Sequence, residues 1–122
     1  MEIGGISHKI KVKPSPLHGM GVFAIEPLTK GEIIEVSYAI QIPPSEIPKN
    51  GVLRKYIFGG RGDSVMVGLG YSSIYNHSPN PNIIAKSYTP DSIQFTTLKE
   101  VEEGEELCHR YTEQRVFERC YL

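Results

Sequence analysis

The sequence predicts a mainly β fold made of many short strands with little helix. Two observations point there. The 122-residue chain holds 12 glycines and 9 prolines, so turns are frequent and long helices have little room. Between these breakers the apolar residues alternate or run in short blocks rather than recurring at helical spacing. The length argues for one domain, and no linker or low-complexity stretch divides it.

Ile10 and Val12 alternate with Lys9, Lys11 and Lys13, a half-buried strand that Pro14 and Pro16 end. "GVFAI" (Gly21 to Ile25) and "EIIEVSYAIQI" (Glu32 to Ile42) read as the next strands. "PPSEIPKNG" (Pro43 to Gly51) is a loop by composition. "VLRKYIF" (Val52 to Phe58) is ambiguous, because Val52, Leu53, Tyr56 and Ile57 fit a helical face in a very short stretch. "SVMVGLG" (Ser64 to Gly70) and "IIAKSY" (Ile83 to Tyr88) look like strands. "TPDS" (Thr89 to Ser92) turns into the alternating "SIQFTTL". The tail "TEQRVFERCYL" fits a short helix capped by Thr112. "PLTKGEIIEV" (Pro27 to Val36) and "EVEEGEELCH" (Glu100 to His109) echo each other, each with a Gly turn before a strand. They read as two ordinary tight turns, not as a repeat.

The net charge of −1 gives no bulk electrostatic reason to expect nucleic acid or an anionic membrane. The two cysteines, Cys108 and Cys120, form no C-x-x-C pair, and a secreted disulfide scaffold of this size would carry more. The start "MEIGGISHKIKVK" has no apolar core of signal-peptide length, and no apolar run is long enough to span a bilayer. The expectation is an intracellular protein of a reducing compartment, cytoplasmic or nuclear and not secreted. Asn76-His77-Ser78 formally matches a glycosylation acceptor, which carries no weight without a secretory signal, and Arg61-Gly62-Asp63 reads as a plain loop. A metal site from His77, Cys108, His109 and Cys120 matches no standard zinc spacing, so no metal is expected.

"IYNHSPNPNI" (Ile74 to Ile83) concentrates three asparagines, two prolines and a histidine in one loop. Proline fixes φ and removes a donor; asparagine brings an acceptor and two donors on a short stem. Such a loop holds one shape and one hydrogen-bond pattern. Read alone it is either a turn between strands or a loop that holds a ligand.

Three segments lie in order: "HGMGVFA" (His18 to Ala24) followed by "KGEII", then "NHSPNPN" (Asn76 to Asn82), then "VEEGEELCHRY" (Val101 to Tyr111). Together they resemble the SET domain, the family of protein-lysine methyltransferases that use S-adenosylmethionine. The chain looks like the minimal stand-alone SET proteins of viruses and microbes. The resemblance spans roughly 11–111 within a single domain covering 1–122, with 112–122 as a cofactor-covering tail. It implies a β-clip-like fold of several small twisted sheets, in which the segment ending in the last tyrosine threads beneath the Asn-His loop. Zinc-binding flanks of larger relatives are lacking, and no zinc is expected.

The resemblance also implies roles. Tyr111 matches the tyrosine that closes the "GEELxxxY" stretch and is the catalytic candidate, orienting the amine and stabilising the methyl in transfer. Tyr56 is the second candidate, at the channel wall; Tyr71 and His109 are the further substrate-channel candidates, and Tyr75 is expected to pack. Gly19 and Gly21 let backbone approach the cofactor, with main-chain contacts from His18 and Met20. Asn76 binds the amino-acid end of S-adenosylmethionine through its side chain, His77 the adenine through its backbone rather than its side chain, and Phe117 stacks on the adenine. S-adenosylhomocysteine is the product. His109 stands where many relatives carry Phe or Tyr, which bears on how many methyl groups are added. The implied partner is a protein or peptide carrying a lysine, such as a histone or other basic tail. The acidic stretch Glu100 to Glu106 is either an attractant for such a tail or a solvated turn. A homodimer would supply a groove wall that so small a domain lacks. The alternative is a SET-like module that has lost catalysis and only binds a peptide or partner.

Overall fold

Residues 1–48 and 50–111 are described by a computed structural model of the protein. Nine strands follow in chain order: β1 (Ile10–Pro14), β2 (Met20–Ala24), β3 (Ile33–Ile42), β4 (Ile57–Gly59), β5 (Val65–Leu69), β6 (Asn76–His77), β7 (Ile83–Lys86), β8 (Ser92–Thr97) and β9 (Glu106–His109). They form a five-stranded sheet in the order β4-β5-β3-β8-β7 and a four-stranded sheet in the order β1-β2-β9-β6. The mainly β expectation holds. The ambiguous stretch resolves into a single 3-10 turn, Val52–Tyr56, running straight into β4. The expected C-terminal helix, with Thr112 as its cap, lies outside the described residues.

The long β3 organises the larger sheet. Its second half pairs with β5 and its first half with residues of the N-terminal segment, while β8 runs along its other edge. Ile34, Glu35, Val36 and Ser37 are all buried, so both faces of this strand are covered there. The main core joins the two sheets through Val22, Ile34, Tyr75, Ile93, Phe95 and Leu107. A small satellite of Ile47, Ile57 and Val65 closes the far end under the 3-10 turns.

The two echoed segments are not independent turns. Leu28 and Val101, at equivalent places in them, exchange both backbone hydrogen bonds at 2.9 Å. Around this pair several backbone hydrogen bonds have counterparts. Gly31 N–H donates to Thr97 O as Gly104 N–H donates to Ala24 O. Thr97 N–H donates to Glu32 O as Ala24 N–H donates to Glu105 O. Each turn is closed by its own bond, Glu32 N–H to Thr29 O and Glu105 N–H to Glu102 O. Gly31 and Gly104 sit at φ 82° and 93°, the third turn position where a side chain would be strained. The echo is thus a local two-fold that aims β3 and β9 away from a shared hinge.

β6 and β9 pair in parallel, Asn76 opposite Cys108 and His77 opposite His109. The short β6 escapes a reading from sequence because two residues carry no period. The loop that follows continues the pairing with a side chain. Asn82 Oδ1 accepts from Cys108 N–H at 2.9 Å and Asn82 Nδ2 donates to Glu106 O at 2.9 Å. Its backbone N–H donates to Cys108 O, and Ser78 N–H to His109 O, both at 3.1 Å. The Asn82 amide imitates a peptide unit of a neighbouring strand and holds β9 against the loop. This explains the rigid, amide-rich composition: the loop is an edge for β9.

Replacing Asn82 by Ala leaves Cys108 N–H and Glu106 O without partners in a buried place. The expected loss is about 2–4 kcal/mol in urea unfolding, from roughly 1–3 kcal/mol per orphaned group. A loss below about 0.5 kcal/mol would contradict the strand-edge role.

Candidate active site

The three motif segments converge on one side-chain amide. Asn76 Nδ2 lies 3.2 Å from His18 O, 3.1 Å from Met20 O and 2.7 Å from Glu106 Oε2. All three neighbours are acceptors, which fixes the amide with its nitrogen inward and Oδ1 turned away from them. The loop bearing His18 and Gly19 is closed by Ser15 N–H donating to Gly19 O at 2.8 Å. Gly19 has φ 49°, with open space where a Cβ would stand. Gly21 is glycine for another reason: a Cβ there would sit 2.3 Å from Glu106 Oε2. The three acceptors are thus taken by the Asn76 NH2 group, which leaves Asn76 Oδ1 and the open, side-chain-free turn at Gly19 as the groups not used in that contact. An amide oxygen held in this way is an acceptor, which suits a ligand that brings an ammonium group.

Tyr111 is clipped to both neighbours of Asn76. Its N–H donates to His77 Nδ1 at 3.0 Å and its hydroxyl to Tyr75 O at 3.1 Å. His77 therefore holds Tyr111 through its side chain, a contact separate from the backbone contact to the adenine expected of it. Since Nδ1 accepts, the ring's proton sits on Nε2. Burial, and secondarily the charge of Arg110, lowers the His77 pKa and favours this neutral form.

Tyr75 packs, as expected, with its ring 4.5 Å from Phe95, but it also has a polar task. Its hydroxyl donates to Glu35 Oε1 at 2.7 Å, while Glu35 Oε2 accepts from Ser37 Oγ and Tyr71 N–H, both at 2.8 Å. Glu35 is only 1% exposed. Burial raises its pKa, against the lowering effect of its three donors. Its contribution to stability is thus full at low pH and declines as pH rises through its folded pKa. The same burial, with the Glu35 charge, pushes the Tyr75 phenol well up, so it remains a donor.

Beside Tyr111 opens a largely apolar pocket of about 480 Å³, with Phe58, Met66, Ile83, Ile93, His109 and Tyr111 among its walls. His109 is 5% exposed, stacked on Phe58 at 5.8 Å and 4.8 Å from the Tyr111 ring. Desolvation, with His77 nearby, lowers its pKa to about 4. At neutral pH it is an uncharged aromatic ring, and so it fills the place of a Phe or Tyr in charge as well as in shape. Its neighbour Cys108, buried on the other side of β9, has its thiol pushed up to about 12 by burial and then by Glu106, so it stays protonated.

The structure thus brings together His18, Gly19, Met20, Gly21, Asn76, His77, His109 and Tyr111. Tyr56 stands apart: it is 42% exposed and is not among the pocket-lining residues, where Phe58 of the same segment stands instead. Tyr71 packs on the core and meets Glu35 through its backbone rather than lining the pocket. Phe117 lies outside the described residues. Ser15, Glu35, Asn82 and Phe58 were missed, and Glu106 was read only as part of an acidic stretch. Ser15 left no signal, whereas Glu35 between Ile34 and Val36 was a charge inside an apolar run.

Residues 19–112 match the SET domain family model. The chain belongs to the SET-domain family. It is 30% identical to the histone-lysine N-methyltransferase, H3 lysine-37 specific, of Schizosaccharomyces pombe, over 97% of this chain and 83% of that protein. A crystal structure of a candidate histone methyltransferase of Plasmodium falciparum superposes with a TM-score of 0.74 at 30% identity, covering 89% of this chain and 97% of that one. Among the described residues no helix is long and apolar enough to cross a membrane.

A neutral buried His109 stabilises the fold fully above its ordinary pKa of 6.5, and this is lost as pH falls toward about 4. Over that window the loss amounts to about 3 kcal/mol. His109→Phe cannot protonate, so its urea stability should fall less between pH 7 and pH 4 by about that amount. Parallel pH profiles for the two proteins would contradict the buried neutral state.

Proposed function

We propose that the protein is an S-adenosylmethionine-dependent protein-lysine N-methyltransferase acting on a lysine of a basic protein segment, such as a histone tail. The observation that carries this is the double attachment of Tyr111 to His77 and Tyr75, the residues on either side of Asn76. The catalytic candidate, which lines the apolar pocket, is thereby tied to the cofactor contact. The named relatives, a histone-lysine methyltransferase and a candidate histone methyltransferase, support the same substrate class.

S-adenosylmethionine, when bound, supplies an electrophilic methyl group on a sulfonium. The Gly19 turn and the Asn76 amide oxygen would hold its amino-acid end, with the backbone at His18, Met20 and His77 as further contacts. The chain's own residues must then deliver a neutral amine, although a free lysine has a pKa near 10.4. The apolar pocket strips water from the alkyl stem, and Lys86 and Arg110 at its lining disfavour a second cation. His109 is neutral and leaves that balance undisturbed. The Tyr111 hydroxyl donates its proton to Tyr75 O, and Tyr111 is among the residues that line the pocket, so its oxygen acts toward the amine as an acceptor. It takes an amine N–H and thereby aims the nitrogen lone pair. The rate gain is one of positioning and electrostatics.

Tritiated S-adenosylmethionine and core histones test this. Transfer is expected from the wild type. Asn76→Ala should weaken cofactor binding about tenfold or more, whereas Tyr111→Phe should keep binding and lower transfer by about 100-fold or more. Cofactor binding without transfer to any basic protein would favour a binding module, and equal transfer by Tyr111→Phe would remove the tyrosine from the mechanism.

A further inference from the structure

Glu106 occupies a place that the apolar pocket and the tyrosine do not explain. It lies on β9, opposite Phe23 of β2, with its side chain directed under Gly21. Both carboxylate oxygens accept from Ser15 Oγ, at 2.8 and 2.9 Å, and Oε2 also accepts from Asn76 Nδ2 at 2.7 Å. That last contact is the shortest of the three that Asn76 Nδ2 makes, and the only one to a charged group. Two amide hydrogens face three oxygens, so the charged partner takes the dominant share. Ser15 fixes the carboxylate, and Gly21, by lacking a Cβ, leaves room for it.

We propose that Glu106 is a positioning residue of the cofactor site: its carboxylate locks the Asn76 amide with nitrogen inward, so that the amide oxygen faces the cofactor's ammonium group. The proposal rests on the methyltransferase reading above and deepens it. An unanchored asparagine amide can rotate about its last torsion and turn its NH2 group toward the ligand. Toward an ammonium that orientation is repulsive. A carboxylate, like the carbonyls of His18 and Met20, has no donor and receives only the NH2 end, and as the charged one of the three it holds that end most strongly. The three motif segments are joined here for a reason: the first supplies Gly21 as the gap, the second the amide, the third the anchor. Ser15, just upstream of the first segment, completes the chain of contacts Ser15–Glu106–Asn76.

The test is calorimetric titration of S-adenosylhomocysteine into the purified chain, which reads binding without turnover. Wild type, Glu106→Ala, Asn76→Ala and the double variant form a cycle. Glu106→Ala should weaken binding about tenfold. The double variant should bind no more weakly than Asn76→Ala alone, because the anchor has nothing left to orient. Glu106→Gln, which keeps an acceptor for the amide, should recover most of the loss. Ser15→Ala, which beyond its contacts to Glu106 gives up only an exposed hydrogen bond from Leu17 N–H, carries the test if Glu106→Ala fails to fold. It should weaken binding about threefold when Asn76 is present and not at all in the Asn76→Ala background. A merely structural Glu106 would lower the unfolding midpoint and give losses that multiply with those of Asn76→Ala; that result overturns the proposal. So does unchanged affinity in Glu106→Ala, or in Ser15→Ala. If the wild type itself binds no cofactor, the methyltransferase reading fails first and the proposal falls with it.

Discussion

The Asn76 side-chain amide is where the fold and the site are tied together. Its NH2 group meets oxygens from residues 18, 20 and 106, which are brought to one point only if β2, β6 and β9 lie side by side. Each neighbouring choice follows from keeping that point intact. Gly21 must lack a Cβ so that the Glu106 carboxylate can reach the amide. Asn82 must mimic a strand edge so that β9 stays in register with β6. The two glycine turns of the local two-fold set the entry of β9, with Glu105 still bonded to the hinge and Glu106 already in the site.

A second layer of the same design is the burial of titratable groups in uncharged or donor-saturated form. Glu35 has a donor from three directions, and through Tyr75 it fixes the carbonyl that receives the Tyr111 hydroxyl. His77 is kept neutral so that its Nδ1 can hold the Tyr111 backbone. His109 is kept neutral by the apolar wall it completes. Burial acts in opposite senses on the acid and the imidazoles. Raising pH works against Glu35, and lowering it works against the two histidines. The two histidines are thereby favoured as uncharged rings beside Tyr111.

Much of this was legible in the residues. Short alternating runs and frequent Gly and Pro announced a β protein, and seven of the nine described strands overlap stretches read as strands in the sequence. The ordered motifs located Gly19, Gly21, Asn76 and Tyr111 before any coordinates. What stayed hidden has physical causes. β6 is too short for a period, and its pairing with β9 joins residues far apart in sequence. Glu35 sat in a strand buried on both faces, where alternation gives no sign of which polar residue is inside. The echo of Leu28 and Val101 was visible as text, but its meaning, a mutual pairing, needed three dimensions. Tyr56 was favoured as a channel wall by its place between motifs; it ends a 3-10 turn and is 42% exposed, while Phe58 lines the pocket beside Tyr111. Glu106 was hidden inside a run of acids whose other members face solvent.

The central claim is that the Asn76 amide is locked inward in the free protein and meets the cofactor through its oxygen. Side-chain amide NMR of Asn76, with and without S-adenosylhomocysteine, addresses it most directly. The account predicts NH2 protons protected from exchange in the free protein, and still protected at saturating ligand while the resonances shift. Rapidly exchanging NH2 protons in the free protein, or resonances that ignore the ligand, would contradict it.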